Sequence, residues 1–149
     1  MTGDRRPTTE EGKGIMVVAL TYKFQKLSVY EKALDYLDKL YELAGKLPVY
    51  EKANIRGQLE RVGTSIVLNI AEGSTGQTDL EQSRFLGIAL RSYIETVACL
   101  DIAERRNYLK AEDIDPVRQF GHTLFVKLQA LRRSISTRRR SSVSGPNNE

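Results

Sequence analysis

The chain has 149 residues, a length that corresponds to one domain of ordinary size, and its 23 Lys and Arg against 19 Asp and Glu give a net charge of +4. One cysteine and one histidine exclude an internal disulfide framework and a Cys/His zinc cluster. The longest apolar run, 15–20, is shorter than the about twenty residues of a membrane span or the about 7–15 of a signal-peptide core. We therefore expect a cytoplasmic protein without a membrane contact, a metal or another cofactor.

The two ends of the chain differ in composition from its middle. Residues 1–21 begin with Thr, Gly and charged residues that show no apolar period, and we expect them to form a disordered or weakly ordered leader. Residues 138–149 (RRRSSVSGPNNE) cannot build a core, and we expect them to form a basic disordered tail. Residues 22–137 remain as the folded domain.

The first two helices are predicted from apolar residues that recur three and four positions apart. Helix one is predicted to begin at Ser28, which has the spacing of a capping box with Glu31, and to stop before Pro48. Helix two is predicted over about 50–72, with Gly73 as the glycine that commonly follows a helix end.

Two longer helices follow. Helix three is predicted to begin at a second capping box, Thr78 with Glu81, and to continue to about Arg106. Helix four is predicted from Asp115 and Pro116, which suit the N-cap and the first helical position, with an irregular turn before them. No stretch alternates apolar and polar residues for long enough to predict a convincing strand. Because short loops make successive helices antiparallel neighbours, we expect an all-α, antiparallel up-down-up-down four-helix bundle.

Helix three is apolar over most of its circumference, which predicts that most of it is buried. Its two apolar stripes are Phe85, Ala89, Thr96, Cys99, Leu100 and Ala103, and Leu86, Leu90, Tyr93, Ile94 and Val97. In helix four, Phe125 and Val126 point away from the main apolar stripe. We therefore expect a homo-oligomer. The alternative is a monomer with a broad core face and a few exposed apolar residues.

Several segments resemble, in the same order, the four-helix bundle proteins encoded in intervening sequences of 23S ribosomal RNA genes. They are 24–27 (FQKL), 58–62 (QLERV), 65–73 (SIVLNIAEG), 85–90 (FLGIAL), Ser92, Glu95 and 107–109 (NYL). That family is related to the accessory variability determinant of diversity-generating retroelements, a homopentamer with a basic surface that binds nucleic acid and a reverse transcriptase. The resemblance therefore implies a ring-like homopentamer, with RNA or DNA and a reverse transcriptase as partners.

Four polar residues are spaced to meet across helices two and three: Asn69, Glu72, Ser92 and Glu95. One interpretation is an acid–base site built on the paired carboxylates. The other is a structural polar layer that fixes the helix register, with Arg61 or Arg84 neutralising a carboxylate. We expect the structural layer and no enzyme activity, because there is no Glu-x-x-His pair and the sole histidine, His122, falls on the polar side of helix four.

The segment 116–148 carries seven basic residues and no acidic one, which leaves a charge of −3 on the rest of the chain. The seven are Arg118, Lys127, Arg132, Arg133, Arg138, Arg139 and Arg140. Such a surface suits a polyanion, and the absence of aromatic residues among the arginines predicts binding without sequence preference. The alternative is a solubilising tail with favourable cations at a helix C-terminus.

These patterns predict a non-enzymatic nucleic-acid-binding oligomeric bundle. The resemblance adds the role of an RNA-binding accessory to a reverse transcriptase in a diversity-generating retroelement. The alternative function is a protein-interaction scaffold with no nucleic-acid role, which predicts no salt-dependent RNA binding.

Overall fold

The computed structural model describes residues 20–75 and 78–143, with side chains described as far as Arg138. Within these residues the secondary structure is helical throughout, which confirms the predicted all-α class. The α-helices are α1 (Ser28–Gly45), α2 (Ile55–Gly73), α3 (Asp79–Arg105) and α4 (Ala111–Val143), and two 3-10 turns cover Lys23–Lys26 and Val49–Glu51. None of the helices described here combines the length and apolar character that crossing a membrane requires.

The four helices surround one hydrophobic core. Helix α1 packs against α2 and α4, and α3 packs against the same two helices. Each helix contributes an apolar stripe to the interior, as amphipathic helices of a bundle do. The largest side chains that are completely or almost completely buried are Tyr36, Leu40, Leu59, Ile66, Ile70, Leu86, Leu100, Ile114, Leu124, Leu128 and Ile135. The chain is therefore a four-helix bundle.

The first two helices begin differently from the prediction. Ser28 is the first residue of α1 rather than its N-cap; the cap is Leu27, whose side chain makes no capping hydrogen bond. Helix α2 begins at Ile55 and not near residue 50, because Asn54 adopts a non-helical backbone with φ −123° and ψ −112°. Asn54 Nδ2 donates to Glu51 Oε2 at 2.8 Å, which ties the end of the preceding 3-10 turn to this break.

The predicted start of helix three is confirmed, whereas that of helix four is wrong. Thr78 caps α3 by accepting a hydrogen bond from the backbone amide of Glu81 at 3.2 Å. Helix α4 begins at Ala111, so Pro116 lies inside it, in the second turn. Because proline has no amide hydrogen, the carbonyl of Glu112 loses its usual partner there.

The helix ends also differ in detail. Gly73 is the last residue of α2, whereas we expected it to follow the end of the helix. Ser74 takes the C-cap position. Helix α4 continues to Val143, so the first six residues of the expected tail are helical. The expected leader falls outside the described residues as far as residue 19, and the tail does so from residue 144.

The turn between α3 and α4 depends on Asn107, which has a left-handed backbone with φ 58°. The amide of Asn107 donates to the Glu104 carbonyl at 3.0 Å, and the amide of Tyr108 donates to the Ala103 carbonyl at 2.9 Å. These two bonds form a Schellman motif, which satisfies carbonyls at the end of α3. The Tyr108 hydroxyl also donates to Glu51 Oε1 at 3.0 Å. This bond connects the turn between α3 and α4 to the 3-10 turn that precedes α2.

Most of the second apolar stripe of α3 is buried or partly buried within the chain itself. Leu86 and Tyr93 belong to the core, and the Phe125 ring stacks on Tyr93 with a centroid distance of 5.0 Å. Phe125 therefore points towards α3 rather than away from the bundle. The large apolar residues of α3 and α4 that stay exposed are Leu80, Ile94, Ile102 and Val126.

Candidate nucleic-acid interface

Five of the seven predicted basic residues have described side chains, and they lie in three different settings. Arg118 is ion-paired inside the chain, Arg138 is ion-paired at the surface, and Lys127, Arg132 and Arg133 are exposed without an acidic partner among the described residues. Arg139 and Arg140 lie in the helical backbone of α4, but their side chains are outside the described part.

Arg118 faces α3 and not the solvent. Its Nη2 atom donates to Asp101 Oδ1 at 2.7 Å and to Glu104 Oε2 at 3.3 Å. Only 27% of its side chain is exposed. Because two carboxylates already surround this guanidinium, Arg118 is poorly placed to contact a phosphate group.

Arg138 is the other ion-paired residue. Its Nη2 atom lies 3.5 Å from Asp79 Oδ1, and both side chains are largely open to solvent. Exposed pairs of this kind contribute little to stability, typically about 0–1 kcal/mol. Arg138 therefore remains available to a ligand that offers a stronger anion.

Arg132 and Arg133 border a shallow groove between α3 and α4. The groove is lined by Leu90, Gln129, Arg132, Arg133 and Ser136. The Arg132 Nε atom donates to Ser83 Oγ at 3.4 Å, so the side chain reaches across from α4 to α3. No carboxylate lines this groove, which distinguishes it from the setting of Arg118.

Two further exposed cations lie on α3 and were not among the predicted basic residues. Arg84 and Arg91 are both exposed; Arg84 lies 3.7 Å from Glu81, and Arg91 makes no hydrogen bond or ion pair with the described residues. The signal was present in the sequence, since both fall on the outer side of α3. A charge count confined to residues 116–148 could not reveal it.

Two of the four residues of the predicted polar layer, Asn69 and Ser92, come together around Ser65, which was not predicted. Ser65 Oγ lies 2.9 Å from Ser92 Oγ, and Asn69 Nδ2 donates to the carbonyl and the hydroxyl of Ser65 at 2.8 and 3.0 Å. Glu72 and Glu95 are exposed, and their carboxylates make no hydrogen bond or ion pair with the described residues. The layer is therefore built from hydroxyl and amide groups, and the two carboxylates point away from it.

The neutralising roles expected of two arginines are not seen. Arg61 donates to Gln58 on the same helix, and Arg84 pairs with Glu81. Burial, with a smaller contribution from Glu95, raises the pKa of the Cys99 thiol, which keeps the thiol protonated at neutral pH. Among the residues that the structure describes, no group of three or more His, Cys, Asp and Glu could hold a metal ion.

Comparison with known proteins is consistent with this bundle. The family model for the 23S rRNA-intervening sequence protein matches residues 25–130. The chain belongs to this family. It is also similar to a crystal structure of a protein of unknown function from the S23 ribosomal protein family of Bacteroides thetaiotaomicron, with 25% identity and a TM-score of 0.66. That match covers 70% of this chain and 95% of the other. No curated protein matches the chain.

The segment that matches the 23S rRNA-intervening sequence family stops before the most basic part of α4. Arg118 and Lys127 lie inside the matched residues 25–130, whereas Arg132, Arg133 and Arg138 follow them. Family membership therefore supports the bundle.

Proposed function

We propose that this chain is a non-enzymatic, nucleic-acid-binding bundle of the 23S rRNA-intervening sequence family that works as a homo-oligomer. Its interface is the basic surface of α4 that includes Lys127, Arg132 and Arg133, together with Arg138, Arg139 and Arg140, which follow on the same helix. The ligand is RNA or DNA, bound through its phosphates. The family name refers to 23S rRNA, which makes RNA the first ligand to test.

The observation that carries this proposal is that three exposed cations of α4 have no acidic partner within the described part of the chain. From Pro116 to Asn148 the chain has no Asp or Glu, and Lys127, Arg132 and Arg133 have no carboxylate partner among the described residues. A guanidinium that has no carboxylate beside it is free to engage phosphate, which its planar fork can do with two hydrogen bonds. Positive charge concentrated in this way also raises the rate of association with a polyanion.

Oligomer formation is part of the proposal. Leu80, Ile94 and Ile102 are 48–53% exposed and lie on the outer side of α3, while Val126 is 49% exposed on α4. Burial of these residues against further copies of the chain removes apolar surface from water. The proposed assembly is a ring of five copies, which would repeat the basic surface about one axis. Within each copy the helices run up-down-up-down, and the proposed location is the cytoplasm. A reverse transcriptase of a diversity-generating retroelement is the proposed protein partner.

The test is a salt titration of RNA binding by fluorescence anisotropy. The variant replaces Arg132, Arg133, Arg138, Arg139 and Arg140 by Gln, and Arg118→Gln serves as the matched control because Arg118 is already paired. We expect the five-fold variant to bind RNA and duplex DNA more weakly, with a salt slope that is smaller by about 0.7–0.9 per lost phosphate contact. The control should bind like the wild type.

Equal affinities and slopes for the wild type and the five-fold variant would remove this surface as the binding site. Absence of binding even at low salt would favour the second candidate, a protein-interaction scaffold. The exposed apolar residues on the outer side of α3 are the observation that favours this candidate, since they could contact another protein as readily as another copy.

A further inference from the structure

The guanidinium of Arg132 occupies space that a side chain at position 87 would otherwise fill. A Cβ atom built on Gly87 would lie 2.8 Å from Arg132 Nη2 and 3.0 Å from Cζ. A Cβ contact below 3.0 Å is essentially never found, so a larger residue at position 87 has to displace the flexible end of the Arg132 side chain, which can move at little cost to the fold. Gly87 thus provides a seat on which the flat guanidinium lies against the backbone of α3.

A second, long contact of 3.4 Å favours one orientation of the same group. Arg132 Nε donates to Ser83 Oγ, which lies one helical turn before Gly87 on α3. This bond uses Nε and leaves the terminal nitrogens as donors. An arginine that is held in this way loses less conformational freedom when it binds a ligand than a freely rotating one does.

The surroundings of the seated guanidinium are suited to an anion. Arg133, Gln129 and Ser136 line the groove beside it and can all donate hydrogen bonds, and none of the lining residues is acidic. Arg91 is exposed one turn after Gly87 on α3 and adds a further positive charge. Several cations along one groove favour a repeating anion over a single carboxylate.

We propose that the groove between α3 and α4 is a phosphodiester-binding site for an RNA strand, in which Arg132, seated on Gly87, and Arg133 bind the phosphate oxygens. This inference rests on the proposed function. It adds that one of the phosphate contacts, that of Arg132, is made by a side chain held in place before RNA binds. It also gives Gly87, which carries no functional group, a role in binding.

The decisive variant is Gly87→Ala, because it leaves the charge of the protein unchanged. We expect the added methyl group to displace the Arg132 guanidinium and to weaken binding of a fluorescein-labelled RNA hairpin about three- to tenfold, as the loss of one partly exposed charged hydrogen bond would. Arg132→Gln should cause a loss of similar size. Gly45→Ala is the matched control, since a Cβ atom at Gly45 meets nothing within 4 Å.

A double-variant cycle separates the seat from other effects of the methyl group. Gly87→Ala should cause no further loss in the Arg132→Gln background, because the group that it displaces is already gone. Arg132→Lys, which keeps the charge without the planar fork, should bind more weakly than the wild type. Circular dichroism melts and light scattering establish that the variants are folded and have the same mass as the wild type.

Each outcome bears on the proposal in a different way. If Gly87→Ala binds like the wild type while Arg132→Gln does not, Arg132 acts without the seat and the inference is wrong. If both bind like the wild type while the five-fold arginine variant is weakened, the groove is excluded and the proposed function stands. If inorganic phosphate at matched ionic strength displaces the hairpin at low millimolar concentration, the groove is a site for free phosphate and the assignment to RNA is overturned. A change of oligomer mass with Gly87→Ala would likewise trace the loss to assembly and overturn it.

Discussion

The hydroxyl groups of Tyr36 and Thr96 lie 2.8 Å apart in the centre of the bundle and join α1 to α3. Both residues are at most 1% exposed, so no solvent replaces this bond when it is removed. Thr96 has a second partner, because its hydroxyl also donates to the Tyr93 carbonyl. When this bond is removed, the Thr96 hydroxyl therefore keeps one partner, whereas the Tyr36 hydroxyl keeps none among the described residues.

Removal of either hydroxyl should reveal this asymmetry. Tyr36→Phe should lower the free energy of unfolding by about 0.5–1.5 kcal/mol, because Thr96 keeps its bond to the Tyr93 carbonyl. Thr96→Val should cost about 1–3 kcal/mol, because it leaves the Tyr36 hydroxyl buried without a partner. Urea denaturation followed by circular dichroism measures both values, and a smaller cost for Thr96→Val than for Tyr36→Phe would contradict the assignment.

The same tyrosine predicts a loss of stability in alkaline solution. Burial raises the pKa of Tyr36 far above its usual value of about 10, so the folded chain keeps the proton while the unfolded chain releases it. The contribution of the protonated Tyr36 to the free energy of unfolding is therefore complete below pH 10 and is lost as the pH rises further. The free energy of unfolding of the wild type should fall more steeply than that of Tyr36→Phe, by about 1.4 kcal/mol per pH unit. Parallel curves for the two proteins above pH 10 would show that Tyr36 ionises as freely in the fold as outside it.

Gly121 allows α4 to approach two tyrosine rings closely. A Cβ atom at position 121 would lie 2.7 Å from Cε2 of Tyr36 and 3.0 Å from Cε2 of Tyr93. Tyr36 is held by its hydrogen bond and Tyr93 is stacked on Phe125, so neither ring can move aside freely. Gly121→Ala should lower stability by about 1–3 kcal/mol through overpacking, partly offset by about 1 kcal/mol of helix propensity. Thermal melts should show no such loss for Gly45→Ala, which adds the same methyl group in open space.

The mass of the protein in solution tests the proposed oligomer. Size exclusion with light scattering should give several times the 16.8 kDa of one chain, and Ile94→Glu should reduce that mass by placing a charge on the outer side of α3. Val49→Glu is the control, since Val49 is 80% exposed and lies in the turn before α2. A wild-type monomer at micromolar concentration would contradict the proposal, as would an equal effect of both variants.

The local signals in the sequence predicted much of the fold, whereas contacts between helices escaped them. Thr78 caps α3 as its spacing with Glu81 indicated, because a capping bond depends on a few neighbouring residues. The helical break at Asn54 was not predicted, and Pro116 misled the prediction of where helix four begins. Tertiary packing as well as propensity decides whether a helix breaks or continues through a proline.

The candidate site shows the same limit at the level of single side chains. Glu95 is three residues from the buried Ser92, about 60° around the helix, and this is enough to take it out of the polar layer. Arg118 looked free in the sequence because its acidic partners, Asp101 and Glu104, belong to the preceding helix. The spacing of residues gives their order around one helix, but not the rotation of that helix against its neighbours.

The order in which the helices contact one another also bears on how fast the chain folds. In the described part, α1–α2, α2–α3 and α3–α4 are neighbours in sequence. The Tyr36–Thr96 bond joins α1 to α3, and the α1–α4 contacts close the long loop from the first helix to the last. Low contact order of this kind is associated with folding in microseconds to milliseconds. Because the long loop has the largest closure entropy, we expect the α1–α4 contacts, including that of Gly121 with Tyr36, to form after the folding transition state. Substitutions there should mainly accelerate unfolding and leave the folding rate almost unchanged.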